Sequence, residues 1–303
     1  RVNAGLHLSL FNIDGKTDLG YGPRLSLSYR PNGNMALKAA YAHTNQYVHQ
    51  LAQTYLSLPT DQWVPVTGKF KPQVADKVSV GAYWQSDNRM FGASVEGYYK
   101  IMRNLVDYRD EYYLQPPTAM WNAQLCSGKG SARGVDFKFE KLTGKLTGHI
   151  AYSLAWADRT FADKNGGKTF PARFDNRHTI NILLNWNISD KVGLNAAWIG
   201  HSGNRFTLLP QVWESPGFGT MYANDETPLK TSINNYQLPF YHRLDISCTV
   251  RNSRGYWTFS LYNAYCHMNT IAIRRAYDNR NNPVFQKVKL LPVIPSISYT
   301  WLF

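Results

Sequence analysis

The chain has 303 residues, of which 44% are hydrophobic, 14% aromatic and 17% charged, a composition too apolar and too aromatic for a disordered segment. Its formal net charge of +13 suits nucleic acid and an anionic lipid surface equally, so charge alone selects no partner. No run of roughly 18 apolar residues provides a membrane-spanning helix, and three cysteines, Cys126, Cys248 and Cys266, are too few for a disulfide framework and wrongly placed for zinc.

Alternation with period 2 recurs from end to end, and period 3.6 almost nowhere. In chain order it predicts about twelve strands, near 1–11, 21–30, 34–43, 76–86, 89–106, 132–141, 144–157, 176–188, 191–200, 239–250, 254–267 and 284–303. In the seventh, Leu146, Ile150, Tyr152, Leu154 and Trp156 oppose Thr147, His149, Ala151 and Ser153. In the eighth, Ile180, Ile182, Leu184, Trp186 and Ile188 oppose Thr179, Asn181, Asn185 and Asn187, and only Leu183 breaks the pattern. In the tenth, Leu244, Ile246, Cys248 and Val250 oppose Asp245, Ser247 and Thr249.

Short turns at 31–33, 87–88, 189–190 and 252–254 alternate with loops of about 9 to 38 residues. A soluble sandwich has no reason to keep its tight turns at one end throughout. An outer-membrane barrel does, with short periplasmic turns, long outer loops and strands that are apolar outside and polar inside. Aromatics near strand ends, namely Tyr29, Tyr41, Trp84, Tyr99, Trp156, Trp186, Trp198 and Trp257, fit the girdles of such a barrel. The expected class is therefore all-β, an antiparallel transmembrane β-barrel. The last residues, PSISYTWLF, put Ile297, Tyr299, Trp301 and Phe303 on one face, and this aromatic ending resembles the C-terminal signal read by the outer-membrane assembly machinery.

The runs PRLSLSYRPN (23–32), LKAAYAHTNQYVH (37–49), LPTDQWVP (58–65), SVEGYYKIMRNLVDY (94–108), YSLAWADRTF with KTFPARFDNRHTINI (152–182) and PVIPSISYTWLF (292–303) resemble the C-terminal barrel half of TonB-dependent receptors. That resemblance implies a 22-stranded barrel closed by an N-terminal plug, an outer-membrane location in a Gram-negative bacterium, and energy-coupled uptake of a nutrient such as a siderophore, cobalamin, glycan or peptide. The implied partners are outer-membrane lipid and lipopolysaccharide, the receptor's own plug, TonB, and a surface substrate-binding lipoprotein, with no nucleic acid, cofactor, metal or enzymatic chemistry. Nothing in residues 1–303 resembles the plug or the TonB-contacting segment, and the start, RVNAGLHLSL, lacks signal-peptide features. The expectation is a C-terminal portion of a larger barrel whose first and last strands do not pair. A passive porin or adhesin barrel is the alternative, and a soluble all-β carbohydrate-active enzyme is a more distant one.

On the polar strand faces, Arg24, Lys38, Glu96, Lys100, Asp136, Lys138, His149 and Asp245 are candidates to meet a plug or line a solute path. The outer loops supply Tyr55, Trp63, Trp121, Trp213 and Tyr222 as candidate ligand contacts, since aromatic rings stack on planar ligands at small entropic cost. Tyr47, Phe206, Phe218 and Tyr236 share those loops, and packing of the loops against one another explains such rings equally well. GGKT at 166–169 lacks the first glycine and the context of a phosphate loop and reads as a polar loop tip. His43 and His49 match no common metal spacing. Asp107, Asp110 and Glu111 beside Tyr108, Tyr112 and Tyr113 could hold calcium, though a solvated loop explains them better. The hairpin around 252–253 puts Cys248 opposite about residue 257, too far from Cys266 for a disulfide, while a Cys126–Cys266 pair stays open.

Overall fold

The computed structural model describes all residues except 14, 52–61, 68, 111–120, 209–211, 215–225, 229–231, 281 and 303. Well over half of the chain is strand, all of it antiparallel. The long strands are β1 (Val2–Ile13), β2 (Lys16–Tyr29), β3 (Met35–Gln46), β4 (Gln73–Gln85), β5 (Phe91–Tyr108) and β6 (Leu125–Lys141). They continue as β7 (Leu146–Phe161), β8 (His178–Asn187), β9 (Val192–His201), β10 (Tyr241–Asn252), β11 (Gly255–Tyr262) and β12 (Ile294–Trp301). Each pairs with its sequence neighbour in one sheet, and the short strand Phe170–Pro171 adds to β7. β1 and β12 stand at opposite ends of the sheet and do not pair with each other.

The register keeps every apolar set on one side. Leu8 meets Tyr21, Leu25 meets Tyr41, Tyr41 meets Val78, Val95 meets Phe137, and the series runs on through Ile150, Ile182 and Ile246 to Phe259 and Ile297. This face is uncovered: Leu10 is 74% exposed, and Leu184, Ile150 and Ile297 are exposed as well, with Ile182 and Leu154 half-buried. So large a bare apolar sheet is unstable in water and is the surface a bilayer covers. The paired rows also climb. One row starts at Met35, the first residue of β3, and passes through Trp84, Ala93, Phe139, Ile150 and Ile182 to Trp198, near the far end of β9. Such a stagger is the tilt of strands in a barrel wall.

Three expectations need correction. The 12–20 loop is a tight hairpin in which Ile13 pairs with Lys16, so not every tight turn lies at one rim. Gly20 is a packing gap in β2: a Cβ there would lie 1.9 Å from the Tyr47 hydroxyl. The 254–267 strand stops at Tyr262, where Asn263 and Cys266 take φ of 53° and 54°, left-handed values that end an extended strand. The 284–303 strand is two: Pro283–Leu290 pairs with Asn269–Tyr277 as a separate hairpin, and Leu291 (φ 64°) with Pro292 interrupts the alternation before β12. All three cysteines are free, and Cys248 faces Phe259, two residues from the expected partner.

β5, β6 and β7 have 18, 17 and 16 residues, and at about 3.4 Å each they outrun the roughly 25 Å lipid-facing band of a barrel. Their extensions carry the buried core. Leu51, Val64, Phe70, Tyr108 and Leu125 form one cluster, and Ala75, Met102, Leu105, Cys126, Phe161 and Phe170 form another. Hydrophobic packing therefore concentrates where long loops fold together, at the rim opposite the 31–34 and 86–90 turns.

Candidate functional site

The polar wall follows directly from register. Lys38 pairs with Gly81, Gly81 with Glu96, Glu96 with Asp136 and Asp136 with Ser153, so these side chains form a row across five strands. Arg24, Lys77 and Lys100 belong to a second row through Ala42. Lys138 faces Ser94, His149 faces Glu140, and Asp245 faces Ala197, all on the same side. All eight wall residues picked from the sequence thus share one face.

Some of these groups are already partnered. The Tyr83 hydroxyl donates to Glu96 at 2.7 Å while the Lys38 ammonium lies 4.2 Å from the Tyr83 ring centre, and Lys138 pairs with Glu140 at 2.6 Å. Asp245 is bound into a knot, accepting from Arg243 at 2.9 Å and from the Asn263 N–H at 2.9 Å, with Arg243 also donating to Tyr262 at 2.6 Å. Arg24, Lys100 and Asp136 have no hydrogen bond or ion pair among the described residues. A concavity of about 660 Å3 opens on this wall, lined by Asn3, Ser28, Lys38, Tyr83 and Glu96.

Above the wall the loops are tied together by charges the sequence reading left unconnected. Lys164 pairs with Asp107 at 2.7 Å and Arg109 with Asp163 at 2.7 Å, and the Asn165 N–H donates to Asp110 at 2.8 Å. Asn165 also accepts from the Ile233 N–H at 3.1 Å, so one residue joins three loops. This refines one reading. Asp107 and Asp110 accept donors from the 162–168 loop, which accounts for their charge without calcium, while the Asp107 side chain keeps 38% of its surface exposed; Glu111, Tyr112 and Tyr113 lie outside the described residues. The GGKT run at 166–169 is an exposed polar loop tip, as read from the sequence, and follows directly on the tied Asn165. A visible signal was the complementary pattern of DYRD at 107–110 and ADK at 162–164.

The FDNRH run at 174–178 makes a second tie that sequence reasoning missed. Asp175, 2% exposed, pairs with Arg177 at 3.0 Å and Arg205 at 3.4 Å and accepts the Ala157 N–H at 3.0 Å. Asn176 donates to the Ser202 carbonyl at 2.6 Å and to Asn204 at 2.9 Å. A buried carboxylate needs such partners, and here they staple the β7–β8 loop to the β9–β10 loop.

Of the loop aromatics, Trp63 is 64% exposed, because alternation in Gln62–Pro65 turns it outward while Val64 enters the core. Tyr47 packs on Phe11, ring centres 5.1 Å apart, and bonds Ser9 at 2.7 Å. Phe206 is buried. Tyr55, Phe218 and Tyr222 lie outside the described residues, as do the side chains of Trp121 and Trp213. His43 bonds Asp76 at 2.7 Å and stacks on Tyr21, whereas His49 is buried in the loop, so they form no metal pair. Burial pushes the His49 imidazole below its ordinary pKa. Among the described residues no three metal-ligating groups converge.

A family model described as TonB dependent receptor-like, beta-barrel, matches residues 1–265. The chain belongs to this family. No curated protein matches it in sequence. In structure this receptor barrel is similar to the ferripyoverdine receptor of Pseudomonas aeruginosa, with TM-score 0.59 and 11% identity over 98% of this chain and 36% of that one. It is also similar to the ferric citrate transporter FecA, with TM-score 0.57 and 13% identity over 98% and 42%. A third is the ferric-catecholate import receptor Fiu of E. coli, with TM-score 0.56 and 12% identity over 94% and 36%. This chain spans well under half the length of these neighbours, and at such identity the likeness concerns the fold.

Proposed function

We propose that the chain is the C-terminal wall of an energy-coupled outer-membrane importer, part of a barrel of about 22 strands around a plug. The observation that carries this reading is the pairing of open strand edges with a charged inner wall. Edge groups left unpaired in hydrocarbon cost several kcal/mol each, so further strands must meet β1 and β12. Arg24, Lys100 and Asp136 call for polar partners within the barrel, which a plug supplies. Such a receptor resides in the outer membrane of a Gram-negative bacterium and draws energy through TonB.

The cargo is a scarce nutrient. Of siderophore, cobalamin, glycan and peptide, we favour a ferric chelate, the kind of cargo named for the structural neighbours. Exposed Trp63, with Tyr55, Trp121, Trp213 and Tyr222, supplies contacts from the outer loops. The test is uptake of labelled ferric chelates by cells producing the full-length receptor, with and without the proton gradient. Accumulation that stops when the gradient is collapsed supports import; gradient-independent flux of small solutes identifies a pore instead. Trp63→Ala is expected to reduce uptake with the receptor still displayed at the surface.

A further inference from the structure

We propose that the outward face carries a binding groove for an anionic glycerophospholipid, a reading that rests on the membrane placement just given and not on any cargo. A groove of about 560 Å3 crosses β3 to β7, lined by Met35, Trp84, Ala93, Phe137, Phe139 and Tyr152. Ala82 and Ala93 leave its floor low, while Phe137 stacked on Tyr152 and Phe139 stacked on Phe91, ring centres 6.3 and 5.9 Å apart, build its wall. The shape suits a flexible acyl chain lying across the strands.

Its position selects the leaflet. Trp84, Ala93 and Phe139 form one paired row, and the row next to the turns holds Phe91 and Lys141. The groove therefore lies within a few residues of the 86–90 and 142–145 turns, the short-turn rim that faces the periplasm in such barrels. The leaflet on that side consists of glycerophospholipid.

Its charge selects the headgroup. Alternation after Phe137 and Phe139 brings Lys141 out on the lipid side, the position from which a lysine reaches a headgroup. Arg89 and Lys145 stand exposed in the two adjoining turns, and none of the three cations has an ion pair or side-chain hydrogen bond among the described residues. The carboxylates nearby are engaged: Asp87 accepts from Asn34, and Glu140 pairs with Lys138 on the opposite face. Three free cations beside an apolar groove match one phosphate with a net negative headgroup. Each is worth about a fivefold gain in affinity next to an anionic lipid.

The experiment is native mass spectrometry of the full-length receptor titrated with phosphatidylglycerol or phosphatidylethanolamine, with heat-modifiable gel migration reporting barrel assembly. Wild-type receptor should retain phosphatidylglycerol at least about tenfold more tightly. Arg89→Gln, Lys141→Gln and Lys145→Gln together should bring the ratio within about twofold, whereas Lys141→Arg keeps it, and Ala93→Trp should weaken both lipids by filling the groove. Equal retention of the two lipids by wild type overturns the proposal, as does an unchanged ratio in the assembled triple variant or displacement of phosphatidylglycerol by lipopolysaccharide. The wild-type comparison decides even where a variant does not assemble. Import measured in the same cells separates the readings: lost import with lipid preference intact defeats the transport assignment alone.

Discussion

Leu125→Ala tests whether the outer loops are held by the core built above the wall. Leu125 is 1% exposed and packs with Leu51, Val64, Phe70 and Tyr108, contributed by the 47–72 loop and the extensions of β5 and β6. Truncating a leucine in so closed a site costs about 3 kcal/mol once the residual cavity is included. Every partner lies beyond the membrane-spanning part of the strands, so the loss falls on loop docking and not on the barrel. A 3 kcal/mol change raises the open population by roughly 150-fold, which proteolysis in the fast-reclosing regime reads directly. The assay is protease treatment of intact cells displaying the full-length receptor, with cleavage in 44–75 and 109–124 followed over time. Trp63→Ala, altering an exposed ring on the same hairpin, should shift cleavage by no more than about twofold, since such surface changes stay within about 0.5 kcal/mol. Less than a threefold rise for Leu125→Ala, or failure of the barrel itself to assemble, would refute this account of the loop core.

Asp175→Asn leaves the Arg177 and Arg205 guanidinium groups without their buried counter-charge and is expected to cost about 3–5 kcal/mol, seen as faster hydrogen exchange across 162–178 and 201–208. For His49 the sign follows from a folded-state pKa held below the ordinary value by burial: docking of its hairpin is fully stable above about pH 6.5 and weakens as pH falls below it, because the open loop binds the proton more readily. Loop exchange measured at pH 7.5 and pH 5 should show this rise, and His49→Gln should remove it. A membrane-impermeant maleimide should label exposed Cys266 on intact cells and spare Cys126, which is buried, and Cys248, which lies on the lipid-facing side of β10. Labelling of Cys248 at the rate of Cys266 would invert the assigned faces.

The wall was legible in the sequence because a lipid-facing strand must alternate, and Ile180 to Trp186 or Leu244 to Val250 can do so in only one register. Polar wall residues were legible for the same reason: Lys38, Glu96 and Asp136 occupy the other phase. What alternation could not reveal was where it stops belonging to the wall. Residues 284–290 alternate as well as any wall strand, yet pair locally with 269–277, since period 2 does not specify a partner. The role of Gly20 was hidden because the ring of Tyr47, distant in sequence, is what explains it. The ties through Asp175 and Asn165 were hidden because each joins segments about 30 to 70 residues apart, and linear spacing carries no signal of that kind.

The two-residue link between β1 and β2 makes the outer rim lopsided. Strands β5 to β7 stand tall and carry laced loops, while the β1–β2 corner ends where the sheet ends. Along this stretch of wall the rim therefore runs from a low sill at the β1–β2 corner to a high parapet over β5 to β7. A tag placed at the β1–β2 corner would stay close to the sheet, whereas one placed at the exposed 166–169 tip would stand on the taller extension of β7.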